Sequence, residues 1–207
     1  MNVSRKPKKS QAERSEATRN ALIAAGRRLF TESGFDGVSA EEIVREAGVT
    51  RGALYHHFPG GKAGLLEAIY ERMEAESTER VARIVLGSDL HSPLEAMVAG
   101  VEAFLDECAE PELRQIALHD APAVLGWDRW REIGAANGLG LIEASLAAAV
   151  DAGEIRPLPV GPTAHLLLGA LDEAAMLVAR SEDPASRAEV TAVLIALLDG
   201  FGVPPAL

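Results

Sequence analysis

With 207 residues and 48% hydrophobic content, rich in Ala and Leu and poor in β-branched runs, the chain has the means to bury a sizeable core. Its one cysteine, Cys108, excludes an intrachain disulfide, and no stretch approaches the ~18 apolar residues of a membrane span, so a cytoplasmic setting is expected. The net charge of −11 argues against a nucleic-acid partner for the chain as a whole, but residues 1–62 carry 11 Lys+Arg against 7 Asp+Glu while residues 63–207 carry 9 against 24.

A basic end on an acidic body is the electrostatic footprint of a DNA reader with a second function behind it. Residues 1–14 form a basic tail without the apolar segment of a secretory signal. The tail reads either as an arm on the DNA backbone or minor groove, or as a frayed solubilising extension. Residues 15–62 carry the pattern of a small helical domain. Within residues 38–62, VSAEEIVREAGVTRGALYHHFPGGK, Ser39 and Glu42 have the spacing of a capping box, and Val38 and Ile43 that of a hydrophobic staple. Gly48 falls where a helix end needs a residue tolerant of positive φ. Thr50 can cap the next helix, with Val49 and Leu54 repeating the staple. At about 100° per residue, Leu54 and Phe58 face the domain, Gly52, Tyr55 and His56 face outward, and Ala53 and His57 lie on the flanks. Two such helices are either a helix-turn-helix, whose second helix enters the major groove, or an ordinary αα-hairpin.

The run AGVTRGALYHHFPGGKAGLLEAI resembles the DNA-binding signature of the TetR family of bacterial transcriptional regulators, and the likeness extends from about Ala17 to Tyr70. The resemblance implies a first helix over Ala17–Ser33, a helix-turn-helix, and a fourth helix starting at Lys62; the linker Pro59-Gly60-Gly61 is one residue longer than in many members. It also implies phosphate contacts from Tyr55, His57 and Lys62, to which Ser39 and Thr50 add contacts at helix N-termini. The expected contacts to a palindromic double-stranded DNA operator are therefore Ser39, Thr50, Arg51, Gly52, Ala53, Tyr55, His56, His57 and Lys62. Arg51 is the expected reader of a base, and Gly52 and Ala53 are small enough to let the backbone approach the groove.

Beyond Lys62 the helical period runs through Leu65, Leu66, Ile69, Tyr70 and Met73 to about Val85. After a loop over Gly87–His91, Ser92 supplies an N-cap, Pro93 suits the first helical position, and Glu95 completes a capping box, opening a helix to Cys108. The Cys108 thiol reads as buried and inert. Pro111 opens a shorter helix through Leu118, broken around Asp120-Ala121-Pro122, and a long helix covers Trp127–Val150 with strain expected near Asn137-Gly138. Asp151–Pro162 is a Gly/Pro-rich loop. Trp127 and Trp130 are spaced to share a helix face. With Met97, Val101, Phe104, Ile116, His119 and Asp120 they either wall a small-molecule cavity, in which His119, Asp120 and Arg131 are polar anchors, or make an ordinary core. The resemblance favours the cavity, since TetR-type proteins usually bind an effector between their middle helices and so shift the spacing of two reading heads. The stretch DAPAVLGWDRW resembles segments in such regulators from high-GC bacteria and names no ligand.

Helices over Thr163–Arg180 and Ser186–Phe201 complete an all-α chain of about nine helices. Val190, Val193, Leu194, Leu197, Leu198 and Phe201 form an apolar stripe that either closes the monomer's own core or meets a second copy. The resemblance implies the second: a four-helix bundle built from the last two helices of each chain of a homodimer. Leu167, Leu171, Ala174, Val190, Leu194, Leu197 and Phe201 are then expected at the seam, and residues 63–207 form an effector-binding and dimerisation domain. None of His56, His57, His91, His119 and His165 falls in a metal-binding spacing, and no Walker loop, G-x-S-x-G elbow or H-E-x-x-H occurs, so no metal, cofactor or catalysis is expected. The expected function is sequence-specific transcriptional regulation, as a repressor released from its operator by a small-molecule effector. A helical enzyme with an acid/base cluster in the cavity and an architectural DNA binder without a cavity are the competing readings.

Overall fold

The computed structural model describes residues 10–87, 92–181 and 183–202, the side chain of Pro184 excepted. Residues 1–9 of the basic tail, and His91 with the rest of the 88–91 loop, lie outside the described residues. Nine α-helices occur among those described: α1 (Gln11–Ser33), α2 (Ala40–Glu46), α3 (Arg51–His57), α4 (Lys62–Gly87), α5 (Pro93–Ala109), α6 (Ala121–Leu125), α7 (Trp127–Asp151), α8 (Val160–Arg180) and α9 (Pro184–Asp199). A π-helix, Leu113–Asp120, precedes α6. The chain divides into two compact units, Met1–Ile69 and Tyr70–Leu207, with the division inside α4. The expected domain boundary at 62/63 lies at the start of that helix.

In the first unit α1 starts at Gln11, earlier than the expected Ala17. Ser10 and Glu13 form a capping box of their own, the Ser10 hydroxyl accepting the Glu13 N–H at 3.1 Å while the Glu13 carboxylate accepts the Ser10 N–H. The core of this unit comes from one face of each helix: Leu22 and Phe30 of α1, Ile43 of α2, Leu54 of α3, and Leu65 and Ile69 of α4 are all buried. Gly26 lets α4 approach α1 closely, since a Cβ there would stand 2.7 Å from Ile69 Cδ1. The short helices α2 and α3 are too brief to stand alone. Their caps and their buried faces hold them.

The second unit packs α5, α7, α8 and α9 around Met97, Leu146, Ala149, Ala164, Leu167 and Leu198. The expected break at Asp120-Ala121-Pro122 is a change of helix type, the π-helix passing directly into α6. Pro122 leaves a mark here. The Ala121 N–H bonds to the Ile116 carbonyl, so the next carbonyl in a π register, that of Ala117, falls to Pro122, which has no N–H. The buried Trp130 indole donates to the Ala117 carbonyl instead, at 2.8 Å. No strain appears at Asn137-Gly138, where α7 is continuous and Asn137 donates its side-chain amide to the Ile133 carbonyl at 2.8 Å. The loop before α8 ends at Pro159 rather than Pro162.

One expectation is corrected. Among the described residues α7 is long and apolar enough to cross a membrane by length and composition. Its apolarity has a local use, because Trp130, Ile133, Leu146 and Ala149 are buried along it.

Candidate functional site

The first unit presents α3 as a capped, exposed helix. The Thr50 hydroxyl accepts the Ala53 N–H at 3.3 Å, and Ser39 with Glu42 closes the expected capping box at the start of α2. Two hydrogen bonds from Ser39 hold the Glu42 carboxyl below its usual range, so it stays ionised at the positive end of α2. Gly48 turns the chain between the helices at φ +65°, as a left-handed residue must. Leu54 and Phe58 are buried, while Arg51, Gly52, Tyr55 and His56 are exposed and Ala53 and His57 half-buried, the distribution expected from the helical period.

Arg51 is not loose. Its guanidinium pairs with Glu41 of α2 and lies 5.7 Å from the Tyr55 ring centroid, with Nη2 donating to the Tyr55 hydroxyl at 3.4 Å. The Tyr55 ring rests against Gly61, where a Cβ would stand 2.7 Å from the ring and where φ is +64°. His56 and His57 meet edge to face at 5.1 Å. Desolvation, then His56 and Arg19, hold the His57 imidazole below its usual pKa, so it is a neutral hydrogen-bonding group near pH 7.

Lys62 is anchored within its own unit. Its ammonium donates to the carbonyls of Phe35 at 2.8 Å and Val38 at 2.9 Å, and sits 3.8 Å from the Phe35 ring centroid. Two of its three donors therefore tie the α1–α2 connection to the start of α4, leaving one for a phosphate.

Besides an open cleft bordered by Ser92, Glu95 and Glu154, two more enclosed cavities are found among the described residues of the second unit. The larger of these two, about 100 Å³, is lined by Phe104, Trp130 and the anchor Arg131 as expected, and also by Tyr70, Glu74 and Asp172. The smaller, about 80 Å³, is lined by the expected Met97 and Val101 together with Leu167, Leu194 and Leu198. Val81, Leu141, Ile142 and Leu171 border both. Four expected lining residues line neither. Ile116 is fully buried in the packing of the π-helix. Trp127 is half-exposed against Trp130. His119 points to solvent, its Nδ1 3.1 Å from Asp120 Oδ1, and Asp120 spends that oxygen on His119 and on the Gln115 amide at 3.0 Å. Ile116, His119 and Asp120 lie on the π-helix, whose wider turn sets their directions, while Trp127 opens α7.

Apart from Arg131, the polar wall consists of residues for which no site role was expected, Tyr70, Glu74 and Asp172. Glu74 is pushed up to about 7, mainly by desolvation, with Asp172 and Glu107 adding to it and a hydrogen bond from Tyr70 opposing. Asp172 is pushed up to about 6 by desolvation, and Arg131, 3.6 Å away, opposes. Burial also raises the Tyr70 hydroxyl and the Cys108 thiol, so both are neutral; Cys108 is the buried thiol expected.

The expected dimer seam divides. Leu167, Ala174 and Leu194 are buried within their own chain, Leu171 borders both cavities, and Val190 and Phe201 are half-buried. Leu197 alone of the seven is exposed, at 49%, and it stands beside Val193 at 61% with Leu166 of α8 at 77%. The physical reason is that α9 is apolar nearly all round: Ala192, Val193, Ala196 and Leu197 point outward while Leu194 and Leu198 point inward. A stripe read from sequence does not say which side the chain itself covers.

Similarity to known proteins agrees with the two-unit architecture. Residues 22–69 match the family described as "Bacterial regulatory proteins, tetR family", and residues 94–201 match "Tetracyclin repressor-like, C-terminal domain". The chain is 28% identical over 162 residues to the transposon Tn10 TetC protein of Escherichia coli, covering 78% of this chain and 80% of that one. A crystal structure of a TetR-family transcriptional regulator from Pectobacterium atrosepticum is 34% identical, superposes with a TM-score of 0.83, and covers 96% of this chain and 100% of its own. RolR, solved in complex with resorcinol, shares the fold at 18% identity and a TM-score of 0.72, over 95% of this chain and 98% of that chain. The chain belongs to the TetR family of bacterial transcriptional regulators.

Proposed function

We propose that this regulator is a repressor that binds a palindromic double-stranded operator as a homodimer and leaves it when a small molecule occupies the second unit. The observation that carries the reading is the exposed row Arg51, Tyr55 and His56 on a helix whose Gly52 leaves the backbone bare for groove approach. Arg51 reads a base edge, Tyr55, His57 and the remaining Lys62 donor hold phosphates, and the Ser39 and Thr50 ends of α2 and α3 add contacts to the backbone. The second copy joins through the outward faces of α8 and α9, led by Leu166, Val193 and Leu197. Two-fold pairing suits half-sites one turn, ~34–36 Å, apart.

Release works through α4, which starts at Lys62 and carries Tyr70, Glu74 and Ser77 into the wall of the larger cavity. A ligand that displaces this wall acts on one continuous helix. RolR binding resorcinol supports a small-molecule role for the corresponding domain. An architectural DNA binder has no need of such cavities.

The test is footprinting of the purified chain on the DNA upstream of its own gene. Protection of an inverted repeat with half-sites one turn apart, absent with Arg51→Ala, is the expected result. Uniform coating without a preferred site would overturn the reading.

A further inference from the structure

Glu74 and Asp172 bring two carboxylates from α4 and α8 to the larger cavity, facing one guanidinium, Arg131 of α7. Arg131 lies near Asp172. Glu107 of α5, whose charge also reaches Glu74, is already held by Arg80 at 2.6 and 2.9 Å and by the Ser77 hydroxyl at 2.6 Å. The Tyr70 hydroxyl beside Glu74 also meets the Trp130 carbonyl at 3.3 Å, and Glu74 forms no ion pair among the described residues. Tyr70 and Cys108 are neutral, so the groups facing the cavity sum to one uncompensated negative charge when both carboxylates are ionised. A half-buried charge without a partner is costly and is relieved by protonation or by a counter-charge.

The neighbouring cavity has the opposite character. Apart from Gly100 and Ser145 its lining is aliphatic side chains and Met97, and the Ser145 hydroxyl is taken by the Leu141 carbonyl at 2.8 Å. It therefore offers a hydrocarbon surface whose one hydrogen-bonding side chain, Ser145, has its proton already engaged. Each cavity is smaller than the ~150 Å³ that admits a benzene ring, but the two are parted only by residues they share, the aliphatic side chains of Val81, Leu141, Ile142 and Leu171.

We propose that the two cavities form one binding site for an amphiphilic organic monocation, its ammonium head between Glu74 and Asp172 and its apolar tail in the Met97–Leu194–Leu198 cavity. This rests on the reading of the second unit as the effector domain and names the chemical class of the effector. An anion adds a like charge to the site. A neutral molecule leaves Glu74 uncompensated. A monocation removes the imbalance, and its tail takes the space lined almost wholly by aliphatic side chains.

The full chain is titrated at pH 8 with three six-carbon probes, n-hexylammonium, 1-hexanol and hexanoate, following Trp130 fluorescence and calorimetry. Hexylammonium is expected to bind at least about tenfold tighter than hexanol, with hexanoate weakest. Glu74→Gln should lower hexylammonium affinity by about tenfold and leave hexanol within about twofold, while its melting temperature, equal to or above that of the parent, certifies the fold. At pH 6 hexylammonium should bind more weakly than at pH 8, as the proton on Glu74 competes, with hexanol unchanged. Equal binding of alcohol and ammonium, an unaffected Glu74→Gln, or no binding of any probe at millimolar concentration overturns the proposal. Hexanol that binds and releases operator DNA without regard to charge overturns this class and leaves the effector reading standing. Hexylammonium that binds with the expected selectivity yet leaves operator binding unchanged upholds the class and sinks the effector reading.

Discussion

Arg51 and Glu41 form an ion pair across the turn between α2 and α3, so the side chain assigned to base reading is held by a neighbouring carboxylate when no DNA is bound. Both partners are exposed, at 62% and 59% of their side chains, and such pairs contribute roughly 0–1 kcal/mol, little enough for a guanine edge or a phosphate to displace. Glu41→Gln should raise affinity for operator and random DNA alike at low salt by removing a repelling charge and freeing Arg51. Arg51→Ala should relax preference at one position in each half-site, a loss of about 1–3 kcal/mol confined to the operator. Fluorescence anisotropy on operator and scrambled duplexes across a salt series reads both. Equal losses on the two duplexes for Arg51→Ala would pass base reading to Tyr55 or His56.

Lys62 is expected to matter before any DNA arrives. Its two charge-assisted bonds to the Phe35 and Val38 carbonyls bridge segments 27 and 24 residues away. Lys62→Ala should destabilise the first unit by about 2 kcal/mol and weaken binding to all sequences alike. Urea unfolding followed by circular dichroism, without DNA, checks this. An unchanged midpoint together with a salt slope lowered by about one per half-site would instead make Lys62 a simple phosphate contact.

Neighbouring positions on α9 should give opposite phenotypes. A Val193→Glu/Leu197→Glu double variant places charge on the outward face and should remain helical yet sediment as a monomer at micromolar concentration. Leu194→Glu puts a carboxylate against Leu198 and Met97 in the smaller cavity and should lower the stability of the fold by several kcal/mol. A double variant that still sediments as a dimer would remove the α8/α9 face from the interface.

Stability should fall as the pH rises between the ordinary carboxylate range and neutrality. Glu74, raised from 4.5 to about 7, and Asp172, raised from 3.8 to about 6, bind protons more tightly in the folded chain than in the unfolded one. Each therefore contributes most when protonated, and that contribution declines as the pH rises through the raised value. For Glu74 the difference between pH 4 and pH 8 is on the order of 3 kcal/mol. Melting curves of the parent and Glu74→Gln at pH 5 and pH 8 isolate it, with the variant gaining on the parent as the pH rises. Parallel melting temperatures at both values would remove the buried charge from the account.

How far the sequence could be read depended on the range of each interaction. Ser39 with Glu42, Thr50 with Ala53, and Leu54 with Phe58 lie within a turn of one another, and both the caps and the exposed face of α3 were legible. The cavity was not, because Glu74 and Asp172 meet only through the packing of α4, α7 and α8, and neither stands out in its own helix. The break expected at Asp120-Ala121-Pro122 left the directions of His119 and Asp120 open, whereas the chain runs there as a π-helix that sets them, His119 to the surface and Asp120 against Gln115 and His119. On α9 the pattern carried no information about sides, since its outward row is as apolar as its inward one.

Gly61 gives the linker a place in evolution that its chemistry alone does not suggest. The Tyr55 ring occupies the space that any side chain at that position would need. The aromatic group proposed to face DNA thus takes its direction from an empty volume in a loop. If Tyr55 contacts the operator as proposed, a substitution at Gly61, outside α3, should alter operator preference while α3 itself stays unchanged. Recognition helices transplanted between relatives should be moved together with residues 59–61, or the grafted tyrosine will point by the rules of its new host.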